Sequence, residues 1–320
     1  QMLPKRLILI AAMCLGGCHW GLAQKSSPWR VYRTSDGLAD SFVASVSVGL
    51  RTNVWARHFD VPSVSWLNGY KVRTQPAPHP GNNRIYESRA GQIWTAYPEG
   101  LQEFKNNTWI SYPVDEIRRE YQTNLLRHAR SLSLSPVKQG RVLFLLSDAL
   151  MEFNNEWAER PEVTVVRRAQ DTGLEKFSDM VTTRDGTLWI AGKRGLLRVS
   201  TGGRALSAET EWTEFLASPA LHVQELQHPM PDSTSGGIVA VGESLQTGRK
   251  VVVLFDGENW QVIPSGRANI RQAWRGWDGT FWSITINALL RLNPATGEFA
   301  ETDEVSSGRF ASVGSGAHGR

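Results

Sequence analysis

A short pattern of Gly, Trp and Leu, returning at long intervals, limits what this chain can fold into. Asp185-Gly186-Thr187-Leu188-Trp189 leads to Gly195-Leu196, and Gly91-Gln92-Ile93-Trp94 leads to Gly100-Leu101. Asp278-Gly279-Thr280-Phe281-Trp282 leads to Ala288-Leu289. Each time the Trp stands three residues after a Gly and seven before a Leu. Fixed offsets repeated at a long period mark a repeat architecture, in which one small unit is copied and stacked.

Aligning the chain on that Trp gives six anchor positions: Trp55, Trp94, Leu143, Trp189, Val239 and Trp282. They are 39 to 50 residues apart, against roughly 40–50 for a four-stranded propeller blade. Each unit offers four short alternating runs. In the fourth they are 177–182, 187–191, 196–199 and 212–215, joined by turn signals of the Asp185-Gly186 kind. Asp278-Gly279, Asp256-Gly257 and Asn68-Gly69 repeat the signal, because Gly and Asx residues tolerate positive φ. Regular short strands without a long helical pattern predict an all-β ring. Unit three is degraded, and unit five lacks the Trp and carries a polar insertion near 243–250. Between units two and three, Val114, Ile117, Tyr121 and Leu125 fall at helical spacing, which predicts an inserted amphipathic helix over 114–129.

The two ends are expected to meet. Trp29-Arg30-Val31-Tyr32 resembles the run that closes later units, such as Trp109-Ile110-Ser111-Tyr112. Arg309-Phe310-Ala311-Ser312-Val313 reads as the first strand of a seventh unit, with Gly319 at the position of Gly91, Gly186 and Gly279. The expectation is a propeller of four-stranded blades over 28–320. Six blades would be complete, and a partial seventh would have the N-terminal strand as its outer strand. The sequence would then be cut inside the seventh repeat. Ahead of it, Lys5 and Arg6 precede an apolar run over 7–15, the form of a secretion signal too short to span a bilayer. Two cleavage sites are open: after Gly21-Leu22-Ala23, giving a signal peptide over 1–23, which is preferred, or after Gly17, leaving a lipidated Cys18. Both cysteines, Cys14 and Cys18, lie in this leader, so the mature fold has to be stable without a disulfide. Asn106-Asn107-Thr108 is a sequon in form and is read as a turn.

Chemistry is sparse. The histidines are His19, His58, His79, His128, His222, His228 and His318, and none has a metal-ligand spacing. No Gly-x-Ser-x-Gly elbow or phosphate-cradling glycine loop is present, and Ser235-Gly236-Gly237 is a turn. No catalytic residue, metal site or cofactor is therefore expected, although acids distant in sequence could still meet across a pore. Lys plus Arg number 35 against 31 Asp plus Glu, with no basic–aromatic patch, so nucleic acid is not an expected partner. Binding is better supported. Second-to-third-strand loops and blade-to-blade links of a propeller gather on one face around the channel. Those loops carry Arg57, His58 and Asp60; Tyr97 and Glu99; Asp148; Lys193 and Arg194; and Asn287. The predicted helix lies in a link on the same face and adds Arg118 and Arg119. A varied polar rim on a repeated frame suits ligand or domain docking.

The Gly-x-Leu-Trp-Ile-x-x-x-x-Gly-Leu core resembles the two-component regulator propeller repeat. Thr34-Ser35-Asp36-Gly37-Leu38, after Trp29–Tyr32, resembles the way such sensors begin. The resemblance covers nearly all of 29–320, strong in units two, four and six and weak in three and five. It implies the extracytoplasmic sensor region of a hybrid histidine kinase or related diguanylate cyclase receptor. In that family two seven-bladed propellers, an immunoglobulin-like domain and a membrane helix lead to a cytoplasmic output module. It further implies a periplasmic, membrane-tethered location, a homodimeric receptor, docking onto following domains of the same polypeptide, and a small ligand such as a glycan fragment. Two alternatives stay open: a secreted propeller lyase or hydrolase, whose pore would bring carboxylates or histidines within about 3–6 Å of one another, and a passive interaction scaffold.

Overall fold

Six four-stranded antiparallel sheets follow one another along the chain, each built from four consecutive strands. The computed structural model describes residues 30–69, 71–123, 131–156, 160–200, 206, 210–232, 234–302, 310 and 312–314. The sheets belong to a unit running from Tyr32 to Arg320, and the unit before it ends at Val31. Their first strands are Val43–Val48, Ile85–Glu87, Leu134–Lys138, Phe177–Thr182, Val223–Pro231 and Gln272–Arg275. Each first strand touches the first strand of the next sheet, so these six form the inner wall and each sheet is a blade. The leader over 1–23, with Cys14 and Cys18, lies outside the described residues.

All six anchors sit in second strands and are buried, including Leu143 and Val239. All but Trp282 fill the seam to the following blade, and Trp282 instead meets Phe310 and Val313. Trp94 packs against Phe144, Met151 and Phe153 of blade three, Trp189 against Val253 and Phe255 of blade five, and Trp55 against Ile85 of blade two. Aromatic partners lie beside them, with Trp55 stacked on Trp66 at 5.8 Å and Trp189 on Phe215 at 5.7 Å. Because every apolar face is spent on a neighbour, the seams together form the core. The glycine of the motif earns its place by conformation: Gly91, Gly186 and Gly279 have φ of 84°, 88° and 81°. At that position the chain enters the Trp strand through a tight turn closed by Gly186 N–H donating to Thr183 O.

The seam between blades one and two also carries a buried charge. Glu87 accepts from Asn53 Nδ2 at 2.8 and 2.9 Å and from the Trp55 indole N–H at 3.2 Å. Its one ion-pair partner among the described residues, Arg51, is 3.9 Å away. Hydrogen bonds to neutral donors thus do most of the work of keeping a carboxylate inside.

The predicted helix spans Asp115–Thr123, with Ile117 and Tyr121 buried against blades two and three. The remainder of the 114–129 prediction, with Leu125, lies outside the described residues. Two expectations about the ends are corrected. Arg30–Tyr32 form no strand, and Trp29 lies outside the described residues. Phe310 and 312–314 form no strand either, while Arg309, Ala311 and Gly319 lie outside the described residues. Instead residues 312–314 act as a wedge between blades six and one. Val313 N–H donates to Gln272 Oε1 at 2.6 Å, and Val46 N–H donates to Ser312 Oγ at 2.7 Å. In both bonds a backbone N–H is satisfied by a side-chain oxygen.

Candidate functional site at the channel mouth

The inner strands begin on the face that carries the second-to-third-strand loops. There they surround a cavity of about 470 Å³ that continues into a narrower one of about 110 Å³ within the channel. Every blade contributes to the wall: Ser45, Arg84 and Tyr86, Ser133, Asp179, His228 and Gln272 in turn, with Ser312 of the wedge completing it. A larger cavity of about 920 Å³ opens on the opposite face among first-to-second-strand turns. Its charged members are largely used locally. Asp232 bonds Ser235 Oγ at 2.6 Å, Asp185 bonds Thr187 Oγ1 at 2.9 Å, and Arg198 lies over the Trp189 and Phe215 rings.

Asp179 and His228 form the centre of the channel wall. His228 Nδ1 lies 3.2 Å from Asp179 Oδ2, off the line of an ideal hydrogen bond. The other carboxylate oxygen accepts from the Ser133 hydroxyl and from Met180 N–H at 2.8 Å. Burial alone would raise this carboxyl. The His228 contact, the Arg84 charge and the Ser133 hydroxyl outweigh it and bring Asp179 from 3.8 down to about 2. His228 itself is held at φ +52°, a left-handed conformation costly for a residue with a Cβ. Register shifts on both sides of Gln227 mark β-bulges in this nine-residue strand, the usual device for re-aiming a side chain.

Three other groups are placed differently. Tyr86 is spent: its hydroxyl donates to Leu132 O at 3.2 Å. Gln272 is 4% exposed. Its Oε1 is fixed by Val313 N–H, which leaves the buried Nε2 with no partner. The Arg84 backbone is tied to Ser131 Oγ and Thr95 Oγ1, whereas its guanidinium has no hydrogen-bond or ion-pair partner among the described residues.

The loop residues singled out in the sequence do not line either mouth. Arg57 and His58 belong to the second strand of blade one and point inward. Arg57 donates to Asn83 O and His79 O, clamping the link to blade two, and burial lowers it from 12.5 to about 10. His58 sits between Ser65 Oγ at 2.8 Å and Phe42 O at 3.3 Å. Tyr97 is buried beside the His79 ring. Asp60, Glu99, Asp148 and Asn287 are exposed. Arg118 and Arg119 pair along the helix with Asp115 and Glu116, and Lys193 and Arg194 both pair with Glu175. Among the described residues no three His, Cys, Asp or Glu side chains are grouped to hold a metal.

Solved structures with the same fold are propellers of more than one occupation. An extracellular domain named as that of a hybrid two-component system from B. thetaiotaomicron matches with a TM-score of 0.53 at 13% identity, covering 88% of this chain and 37% of that one. Another, named for a one-component system of the same organism, gives 0.50 at 11% identity, covering 82% of this chain and 34% of that one. Virginiamycin B lyase from Staphylococcus aureus gives 0.51 at 13% identity, covering 82% and 84%. No family model matches the chain, and no curated protein matches it in sequence. At these identities the likeness establishes the fold: a propeller of four-stranded blades shared by extracellular domains named for two-component and one-component systems and by a lyase.

Proposed function

We propose that this propeller is the extracytoplasmic ligand-sensing region of a two-component-type receptor, with the ligand seated in the channel mouth. The observation that supports the reading is convergence. Each blade gives the cavity at least one polar side chain, and among the described residues the Arg84 guanidinium there has no hydrogen-bond or ion-pair partner. A half-buried charged group without a partner is costly unless something else satisfies it. The exposed loop residues from Asp60 round to Asn287, with Arg118 and Arg119, are assigned the docking of following receptor domains. Phe310 and residues 312–314 would then stand where a seventh inner strand begins in the receptor. Ligand binding would bias a two-state receptor only through a difference in affinity between its states. The test is a thermal-shift and calorimetric screen of the purified propeller with glycan fragments, repeated on His228→Ala. A ligand whose affinity is unchanged in that variant, and unchanged when the mouth is narrowed, sinks the channel assignment.

One observation favours a second reading, a propeller lyase or hydrolase. A carboxylate within 3.2 Å of an imidazole is the arrangement that orients a general base. The two readings part on a single measurement. A sensor returns its ligand intact after prolonged incubation, whereas an enzyme releases a product that His228→Ala does not form.

A further inference from the structure

Resting on the channel as the binding site, the chemistry of its wall narrows the ligand class. Cationic side chains outnumber anionic ones: Arg84, Lys250 and Arg271 line the mouth against Asp179 alone. Lys250 is offset by Glu243 at 3.4 Å, and Arg271 donates to Phe310 O at 3.2 Å. Asp179 is already occupied by His228, Ser133 and Met180 N–H. What remains without a hydrogen-bond or ion-pair partner among the described residues is the Arg84 guanidinium fork, whose charge also helps to hold down the Asp179 carboxyl. We propose that the channel mouth takes a small molecule bearing a carboxylate, received by the Arg84 guanidinium. Arg presents parallel donors that match the two oxygens of such a group, and hydrogen bonds of this charged kind are the strong ones. A singly charged group suits the site better than a dianion, because Asp179 keeps its own negative charge nearby throughout the physiological range.

The experiment is isothermal titration of the propeller with glucuronate, its neutral counterpart glucose, and lactate as a singly charged carboxylate without a sugar ring. Glucuronate is expected to bind about ten-fold or more tightly than glucose, and Arg84→Met to erase that preference. Arg84→Met keeps a long side chain and breaks no hydrogen bond of the guanidinium, so the fold is expected to persist. Added salt should weaken glucuronate and spare glucose. Lactate binding with the same dependence on Arg84 shows that the carboxylate alone is read, and its absence shows that a sugar acid is. Equal affinity for glucuronate and glucose, or glucuronate binding unchanged in Arg84→Met, overturns the ligand class. So does the lack of carboxylate-dependent binding up to about 10 mM. Asn82→Trp, which crowds the mouth, separates the two failures. If it still blocks glucose, the channel stands and only the carboxylate is wrong; if it blocks nothing, the site itself is wrong.

Discussion

Trp94 and Trp282 occupy the same place in the repeat, yet their replacement by Ala should not cost the same. Trp94 is 0% exposed, stacked on Tyr112 at 5.8 Å and meeting Phe153 of the next blade edge-on at 5.8 Å. Its indole N–H makes no hydrogen bond, so the whole effect of removing it is packing. Core Trp→Ala changes cost about 3–5 kcal/mol. The seam cannot collapse easily, because Tyr112 and Phe153 are already held against each other at 5.2 Å. We therefore expect Trp94→Ala near the upper end, about 5 kcal/mol. Trp282 is 9% exposed and stacks on Trp274 at 6.5 Å, and among the described residues Phe310 and Val313 are what packs on its cluster from beyond blade six. With looser packing there among the described residues, Trp282→Ala should cost about 2–3 kcal/mol. Urea unfolding followed by far-ultraviolet circular dichroism measures both, and an unchanged slope shows that the surface exposed on unfolding is the same. A Trp94→Ala cost below about 1.5 kcal/mol, or one no larger than that of Trp282→Ala, would refute the inter-blade account of the repeat.

Two further outcomes follow from buried charge. The carboxyl of Asp179 is lowered in the fold from 3.8 to about 2. The stability it contributes is therefore present above pH 3.8 and lost as pH falls to about 2, amounting to about 2 kcal/mol. Asp179→Asn should flatten that part of the stability–pH curve, and identical slopes for the two proteins between pH 4 and 2 would disprove it. Glu87→Ala leaves Asn53 Nδ2 and the Trp55 indole without their acceptor, for a cost of about 2–4 kcal/mol, while Glu87→Gln retains an acceptor and should lose less. Equal losses in urea unfolding would mean that charge, not hydrogen bonding, governs this seam.

The frame was legible because the repeat is a packing rule written at fixed spacing. Even Leu143 and Val239 were placed in second strands by counting from their neighbours, and Ile117 and Tyr121 on the buried side of the helix by period alone. The channel was not legible in this way. Its residues come one or two at a time from blades tens of positions apart, and no motif relates Asp179 to His228. The trace was polar residues set between apolar ones in an inner strand, as Ser178 and Asp179 between Phe177 and Met180. The aim of His228 depends on bulges, which shift register by one residue and leave no mark on alternation. Arg57 and His58 were misplaced for a related reason: the second strand of blade one runs on to His58, so residues expected in a loop are fixed in the sheet.

The wall of the channel is assembled from separate blades, and the apolar contacts that hold each blade lie away from it in the seams. A substitution at Arg84 therefore changes one polar group of the channel mouth without rewriting the sheets behind it. Such a wheel can exchange the groups at its hub one at a time while its spokes stay the same.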